Sequence, residues 1–272
     1  MTVTRYAVVG DPIAHSKSPQ IHHQFATQTG EAVDYEKLQV DKASFDQFVQ
    51  DFFAAGGGGL NVTLPHKEAA FALAAKPSRR CLLARAANTL WLDENGKLCA
   101  ENTDGAGIIR DLTVNHGIEL ADKQILMLGA GGAARGVLAT LVESGAAGIT
   151  VVNRTLSRAE QIKEDFKDAF ALEVCDYEHL PSSKFDVIIN GTSMSIGGEV
   201  PAISAALMSN DCCCYDMMYG NEKTAFQQWA DNAGAKKVFD GLGMLVEQAA
   251  ESFFIWRGIR PKTEEVIAAL RE

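Results

Sequence analysis

Apolar and polar positions alternate between two rhythms along the chain. RYAVVG (5–10) is a nearly continuous apolar run and reads as a buried strand. SPQIHHQFATQTG (18–30) has helical spacing and ends at Gly30. DYEKLQV (34–40) alternates like a strand, and KASFDQFVQDFFAA (42–55) returns to helical spacing. Four consecutive glycines, Gly56 to Gly59, then stop that helix, since they are too permissive to hold one. LNVT (60–63) is a short strand, and Pro65 suits the first position of a further helix. In TLWLDENGKLCAE (89–101), Asn95-Gly96 separates two alternating runs and predicts a hairpin. From about 104 onward, apolar strand candidates recur at 124–128, 149–152, 171–174, 186–189, 212–216 and 236–239. Amphipathic helices or loops fill the gaps, the pattern of an open, mostly parallel, doubly wound α/β sheet. The last 30 or so residues contain no strand pattern, so a helical tail is expected to return to the first domain. No internal repeat or low-complexity linker interrupts the chain.

The length of 272 residues suggests two domains at roughly 150 residues each. With 47% apolar and 22% charged residues the chain is globular rather than disordered. A net charge of −10 argues against nucleic acid or an anionic membrane as the main partner. No apolar run approaches the ~18 residues that span a bilayer. The opening MTVTRYAVVGDPIAHS lacks the marks of a signal peptide, and a cytoplasmic setting is expected. The six cysteines include Cys212, Cys213 and Cys214 in one apolar strand, where they read as small hydrophobes. No C-x-x-C or H-E-x-x-H spacing occurs, so no metal site is expected, and His22 and His23 read as packed or surface residues.

The strand ILML (125–128) runs directly into Gly129-Ala130-Gly131-Gly132-Ala133-Ala134, which fits G-x-G-x-x-G/A between a strand and a helix. Such a loop brings backbone N–H groups and a helix N-terminus to a pyrophosphate. At the end of the next strand an NAD site usually carries an acidic residue. This chain has Asn153, Arg154 and Thr155, with Arg158 following, which favours the 2′-phosphate of NADP. The alternative is that the two arginines only solvate a helix start, a placement the helix dipole opposes.

Three segments could form a small-molecule site. In PIAHSKSP (12–19), Ser16 and Ser18 could hold a carboxylate, although spacing alone favours Ser18 as a simple helix cap. In NVTLPHKE (61–68), Lys67 falls in a first helical turn, where the dipole disfavours the ammonium form. That is the push a proton-exchanging lysine needs, and a solvated lysine paired with Glu68 or another carboxylate is the other reading. In ENTDG (101–105), Asp104 could be an ordinary first-turn carboxylate, but it sits where the chain passes between domains, a place ligand sites favour. Asn88-Thr89 adds polar groups at the head of the hairpin.

Together PIAHSKSP, NVTLPHKE, AANT, ENTDG, GAGGAARG, NRT, NGTS, YDMMY and GLGMLVEQA, in this order, resemble the shikimate dehydrogenase family over nearly the whole chain. The resemblance implies NADP-dependent interconversion of shikimate and 3-dehydroshikimate, in a protein that is a monomer or homodimer. It implies a discontinuous α/β substrate domain of residues 1–103 plus 240–272 and a Rossmann-type NADP domain of 104–239. It implies Lys67 and Asp104 as the catalytic pair, Ser16 and Ser18 on the substrate carboxylate, and Asn61, Thr63, Asn88, Tyr219 and Gln248 on its hydroxyls and ring. Gly129, Ala130, Gly131, Gly132 and Ala133 would hold the pyrophosphate, and Asn153, Arg154, Thr155 and Arg158 the 2′-phosphate end. Thr192, Met217 and Gly241 would also border the cofactor. The chain departs from the family in PSRRCLLARAANT (77–89). Arg79 replaces a usual acid, Arg85 a usual glycine and Ala87 a usual valine. The two added cations near Asn88 are expected to crowd or recharge the pocket. They keep open a divergent paralogue, or an NADPH-binding regulatory module without turnover, which Lys67 and Asp104 argue against. A quinate/shikimate dehydrogenase using NAD is the other alternative. It is opposed by Asn153 and by Ser18, where quinate-preferring relatives tend to have Thr.

Overall fold

The structure is a computed structural model that describes residues 3–272. The chain divides into two compact units, residues 1–107 with 246–272 and residues 108–245. These divisions fall a few residues later than the expected domain limits.

The first unit contains β1 (Thr4–Gly10), α1 (Ser18–Thr29), β2 (Val33–Gln39), α2 (Phe45–Ala54), β3 (Gly59–Val62) and α3 (Lys67–Leu73). It continues through β4 (Lys76–Pro77), α4 (Arg79–Ala84), β5 (Thr89–Leu92), β6 (Leu98–Glu101) and the start of α5 (Asp104–Arg110). Its six strands lie in the order β2-β1-β3-β5-β6-β4. β1 pairs in parallel with β2 and β3, whereas β5 is antiparallel to β3 and β6. Tyr6 to Gly10 are buried because β1 lies inside the sheet. Phe45, Val49, Phe52 and Phe53 place the apolar face of α2 on Ala7, Val9, Leu60 and Val62. Burial of each such side chain contributes about 1.5–3 kcal/mol.

Three local expectations change. α2 begins at Phe45 rather than Lys42, because the Asp41 carboxylate accepts from the N–H of Ala43 and of Ser44 and folds the preceding residues into a turn. Pro65 does not open α3. It follows a cis peptide bond, and the helix starts at Lys67 after His66. α4 was not anticipated, since it is only one and a half turns and shows no amphipathic repeat. It is started by Ser78, whose hydroxyl accepts from the Cys81 N–H at 3.1 Å.

The second unit contains β7 (Gln124–Leu128), α6 (Gly132–Leu141), β8 (Gly148–Val152), α7 (Leu156–Phe166), β9 (Glu173–Cys175) and β10 (Phe185–Asn190). β11 (Met208–Asp216), α8 (Ala225–Asn232) and β12 (Lys237–Phe239) follow. All six strands are parallel in the order β12-β11-β10-β7-β8-β9, the doubly wound arrangement expected from the apolar runs. Cys212, Cys213 and Cys214 are buried in β11 without a disulfide, and burial pushes the Cys213 thiol up to about 12, which keeps it protonated and inert. α9 (Leu242–Arg257) and α10 (Glu264–Arg271) complete the chain, and residues 246–272 belong to the first unit.

Candidate active site

In parallel sheets ligands gather beyond the carboxyl ends of the strands. In the first unit these ends deliver the loop after β1, with Ser16 and Ser18, and the segment after β3, with Thr63 and Lys67. Lys67 is the first residue of α3 and Asp104 the first of α5. Lys67 Nζ donates to Asp104 Oδ2 at 2.5 Å. The Lys67 carbonyl accepts from the Ala87 N–H at 2.9 Å, which fixes the start of α3 beside Asn88. Asn88 Nδ2 in turn donates to Asp104 Oδ1 at 2.8 Å, so both carboxylate oxygens are engaged. Of the carboxylates that could pair with Lys67, the one that meets it is the distant Asp104 and not the adjacent Glu68.

Beneath Lys67, His66 is fully buried, stacked on Phe45 at 4.5 Å, with Nε2 2.7 Å from the Val40 carbonyl. This packing anchors the residue that precedes the lysine. Asp104 has only 10% of its side chain exposed and Lys67 21%, so the pair is partly shielded yet reachable.

Ser18 does not cap α1, contrary to the reading favoured by spacing. The cap position is Lys17, whose side chain makes no cap bond; Ser18 is already helical, and its N–H donates to Ser16 Oγ at 3.3 Å. Ser16 Oγ lies 3.2 Å from Ser18 Oγ. Two hydroxyls at a helix N-terminus suit a carboxylate. Burial pushes the Tyr35 hydroxyl well up, opposed by Ser18 beside it, so Tyr35 stays protonated and donates to Asn61 Oδ1 at 2.7 Å. Asn61, in β3, and Asn88, just before β5, are both buried. Gln248 of α9 accepts from Asn88 Nδ2 at 3.3 Å through its Oε1. Thr63 is half-buried, its N–H bonded to the Val9 carbonyl.

Sequence reasoning missed Ser252 and Thr103, which join this network as hydrogen-bond partners of Asn61 and Asn88. Ser252 stands one turn beyond Gln248 on α9. Two uncharged polar residues at that spacing on one helix were the available signal.

Arg79 and Arg85 are exposed. Arg85 ends α4 with φ 53°, a left-handed conformation that favours glycine. Glycine would adopt this conformation without the cost that a Cβ brings, and Arg85 is an exposed residue at the helix cap.

In the second unit, Gly129 turns the chain at φ 102°, and any Cβ there would press on Thr192 Cγ2. Cβ atoms at Gly131 and Gly132 would meet nothing within 4 Å. Ala130 and Ala133 complete the loop, and no side chain caps α6. Asn153 does not face outward alone. Its Oδ1 accepts from the Ala130 N–H at 3.2 Å and its Nδ2 donates to the Thr155 carbonyl at 2.8 Å, so it ties the glycine loop to the next turn.

Arg154 and Arg158 are exposed at the start of α7, whose first turn has no acidic residue. An open backbone cradle with two such arginines fits a dinucleotide bearing a 2′-phosphate. Thr192 is held by Asn190 Oδ1 at 2.7 Å, and Gly241 passes so close to the Met217 backbone that no side chain would fit. Tyr219 also belongs to this unit and is 38% exposed.

Among the described residues no group of three His, Cys, Asp or Glu could hold a metal, and no helix is long and apolar enough to cross a membrane.

Three family models match the chain: the shikimate dehydrogenase substrate binding domain over residues 8–90, shikimate / quinate 5-dehydrogenase over 112–197, and the shikimate 5′-dehydrogenase C-terminal domain over 241–271. A shikimate dehydrogenase (NADP(+)) of Marinobacter nauticus is 52% identical, with 100% of this chain and 99% of the relative covered. The crystal structure of an Ael1 enzyme from Pseudomonas putida superposes with a TM-score of 0.94 at 39% identity, covering 99% of this chain and 98% of that one. That of shikimate 5-dehydrogenase from Thermus thermophilus in complex with NADP(H) and shikimate gives 0.87 at 31% identity, with 99% of each chain covered. On full-length identity of this order and on three successive domain matches, the chain belongs to the shikimate dehydrogenase family.

Proposed function

We propose that this protein interconverts shikimate and 3-dehydroshikimate with NADP, using Lys67 and Asp104 to handle the proton. The observation that carries the reading is the 2.5 Å contact between Lys67 Nζ and Asp104 Oδ2, set among Asn61, Asn88 and Gln248. NADP supplies or accepts a hydride at its nicotinamide ring when bound. Gly129 to Ala133 and the start of α6 would hold its pyrophosphate, and Arg154, Thr155 and Arg158 its 2′-phosphate.

Ser16 and Ser18 orient the substrate through its carboxylate. Asn61, Thr63, Asn88, Tyr219 and Gln248 contact its hydroxyls and ring. Reduction of the ketone places negative charge on its oxygen, and a donor within hydrogen-bond reach must neutralise it. Lys67 Nζ gives that proton, and in the oxidative direction takes it back. Asp104 Oδ2 holds the ammonium in place while Asn88 holds Asp104.

Replacing Lys67 with Ala is the test. It should lower kcat by about 10²–10⁴, the range of general acid–base catalysis, with NADP binding and melting temperature near wild type. A variant that keeps most of its kcat overturns the role of Lys67, and one that loses activity only by unfolding assigns Lys67 to structure.

A further inference from the structure

We propose that Ser252 is a positioning residue of the substrate site, fixing the amide of Asn61 and linking it to the Lys67–Asp104 pair. This rests on the shikimate reading above. Ser252 is fully buried on α9. Its Oγ lies 2.9 Å from Asn61 Nδ2, 2.7 Å from Thr89 Oγ1 and 3.3 Å from Thr103 Oγ1. A helical serine ordinarily bonds only the carbonyl one turn back, and Ser252 reaches that of Gln248 at 3.1 Å as well. The three additional partners belong to β3, the head of the hairpin and the residue before Asp104.

Backbone groups set the direction of these bonds. Asn61 Nδ2 faces the Asn88 carbonyl at 3.2 Å, so that atom must be the amide nitrogen. Its Oδ1 then accepts from Tyr35. The Thr103 N–H points at Asn88 Oδ1 at 2.8 Å, so the Asn88 nitrogen must face Asp104. Between these ends Ser252 has one proton. It goes to the Gln248 carbonyl, with Thr89 donating to Ser252, or to the hydroxyl of Thr89 or Thr103, each of which can then donate to Asn88 Oδ1 at 3.1 Å. In every arrangement Ser252 accepts from Asn61.

The consequence is chemical. With Ser252 in place both N–H groups of Asn61 are committed within the protein. One acceptor position on Oδ1 is left for the substrate. Asn61 therefore offers an acceptor, which matches the O–H of a ring hydroxyl and not a ketone or ether oxygen. Removing Ser252 leaves the second Asn61 N–H only the longer 3.3 Å contact with Thr89 Oγ1 and loosens the hold on the amide.

Steady-state kinetics of Ser252→Ala, Asn61→Ala and the double variant test this, with Ser252→Thr as the control that restores the hydroxyl. Ser252→Ala should raise the shikimate KM by about ten- to a hundred-fold, the range for one lost buried hydrogen bond, with kcat changed far less and the NADP KM unchanged. Placed on Asn61→Ala, the same substitution should have almost no further effect. Ser252→Thr should return the shikimate KM to within about three-fold of wild type. A Ser252→Ala protein within two-fold (about the error of such cycles) of wild type overturns the proposal. So does a full penalty that persists in the Asn61→Ala background, which would mark a purely structural serine. If Ser252→Ala does not fold, the threonine variant decides: a raised shikimate KM in a folded Ser252→Thr protein overturns the proposal. A wild-type protein that does not turn over shikimate overturns the functional reading and this proposal together, whereas a normal wild type with an unaffected variant overturns only Ser252.

Discussion

At the scale of single residues, the chemistry rests on side chains whose partners lie far away in sequence. Lys67 and Asp104 were identifiable as candidates because each stands at a helix start inside a polar segment. Their contact at 2.5 Å across 37 positions was not legible, because no local pattern specifies which carboxylate meets a lysine. Because the proposed mechanism uses the two as one unit, Lys67→Ala with Asp104→Ala should be less damaging than the product of the single losses, as judged by kcat. Ser18 shows the opposite case. Its spacing suits a cap, yet the helix begins one residue earlier, and its hydroxyl meets Ser16 Oγ instead. Arg154 carries a prediction of its own. Exposed and with no acid in the first turn of α7, it should read the 2′-phosphate, and Arg154→Asp should weaken NADP about ten- to a hundred-fold while leaving NAD nearly unchanged. Equal losses in the two titrations would remove Arg154 from that role.

At the scale of elements, periodicity was a good guide where an element had a buried face and a poor one where it did not. The central strands of the second unit are buried apolar runs, as expected of a parallel sheet, and all six strands were visible in the sequence. α4 was invisible, because its six residues hold too few turns to show a stripe. Its end explains an oddity of the sequence: Arg85 takes a left-handed conformation without being glycine. That conformation costs roughly 1–2 kcal/mol for an L-residue, part of which glycine returns through the freedom of the unfolded chain. Arg85→Gly should thus raise stability modestly, by about 1 kcal/mol or less, in urea unfolding monitored by circular dichroism. A clear loss of stability would mean that the arginine side chain makes a bond worth more than the strain. Gly129 makes the reverse prediction. At φ 102° and with Thr192 close by, Gly129→Ala should weaken NADP binding by fluorescence titration while the parent strand β7 keeps its place.

At the scale of the whole molecule, the fold could be read because apolar periodicity and the glycine fingerprint agree on an α/β protein. What could not be read was the polar network of the first unit, whose members come from β3, the hairpin, α5 and α9. The aromatic cluster of this unit also sets a limit on acid stability. His22 is fully buried, stacked on Tyr35 at 4.1 Å, and neither ring nitrogen has a partner of good hydrogen-bond geometry. Burial pushes its imidazole down from 6.5 to about 3, with the nearby Asn61 opposing. The folded protein therefore holds His22 neutral where the unfolded chain would protonate it. The stability present above pH 6.5 is lost as pH falls toward about 3, by about 1.4 kcal/mol per pH unit for this one proton. His22→Phe should flatten that part of the stability profile, and an unchanged slope would show that other groups govern it.

The central claim is NADP-dependent turnover of shikimate, and the most direct measurement is the rate of reduced-cofactor formation by the wild-type protein. Shikimate and quinate would each be offered with NADP and with NAD. The account predicts the highest kcat/KM for shikimate with NADP, with NAD weaker by about ten-fold or more because it brings no phosphate to Arg154 and Arg158. Equal or better turnover of quinate, a preference for NAD, or no turnover of shikimate at all would contradict it.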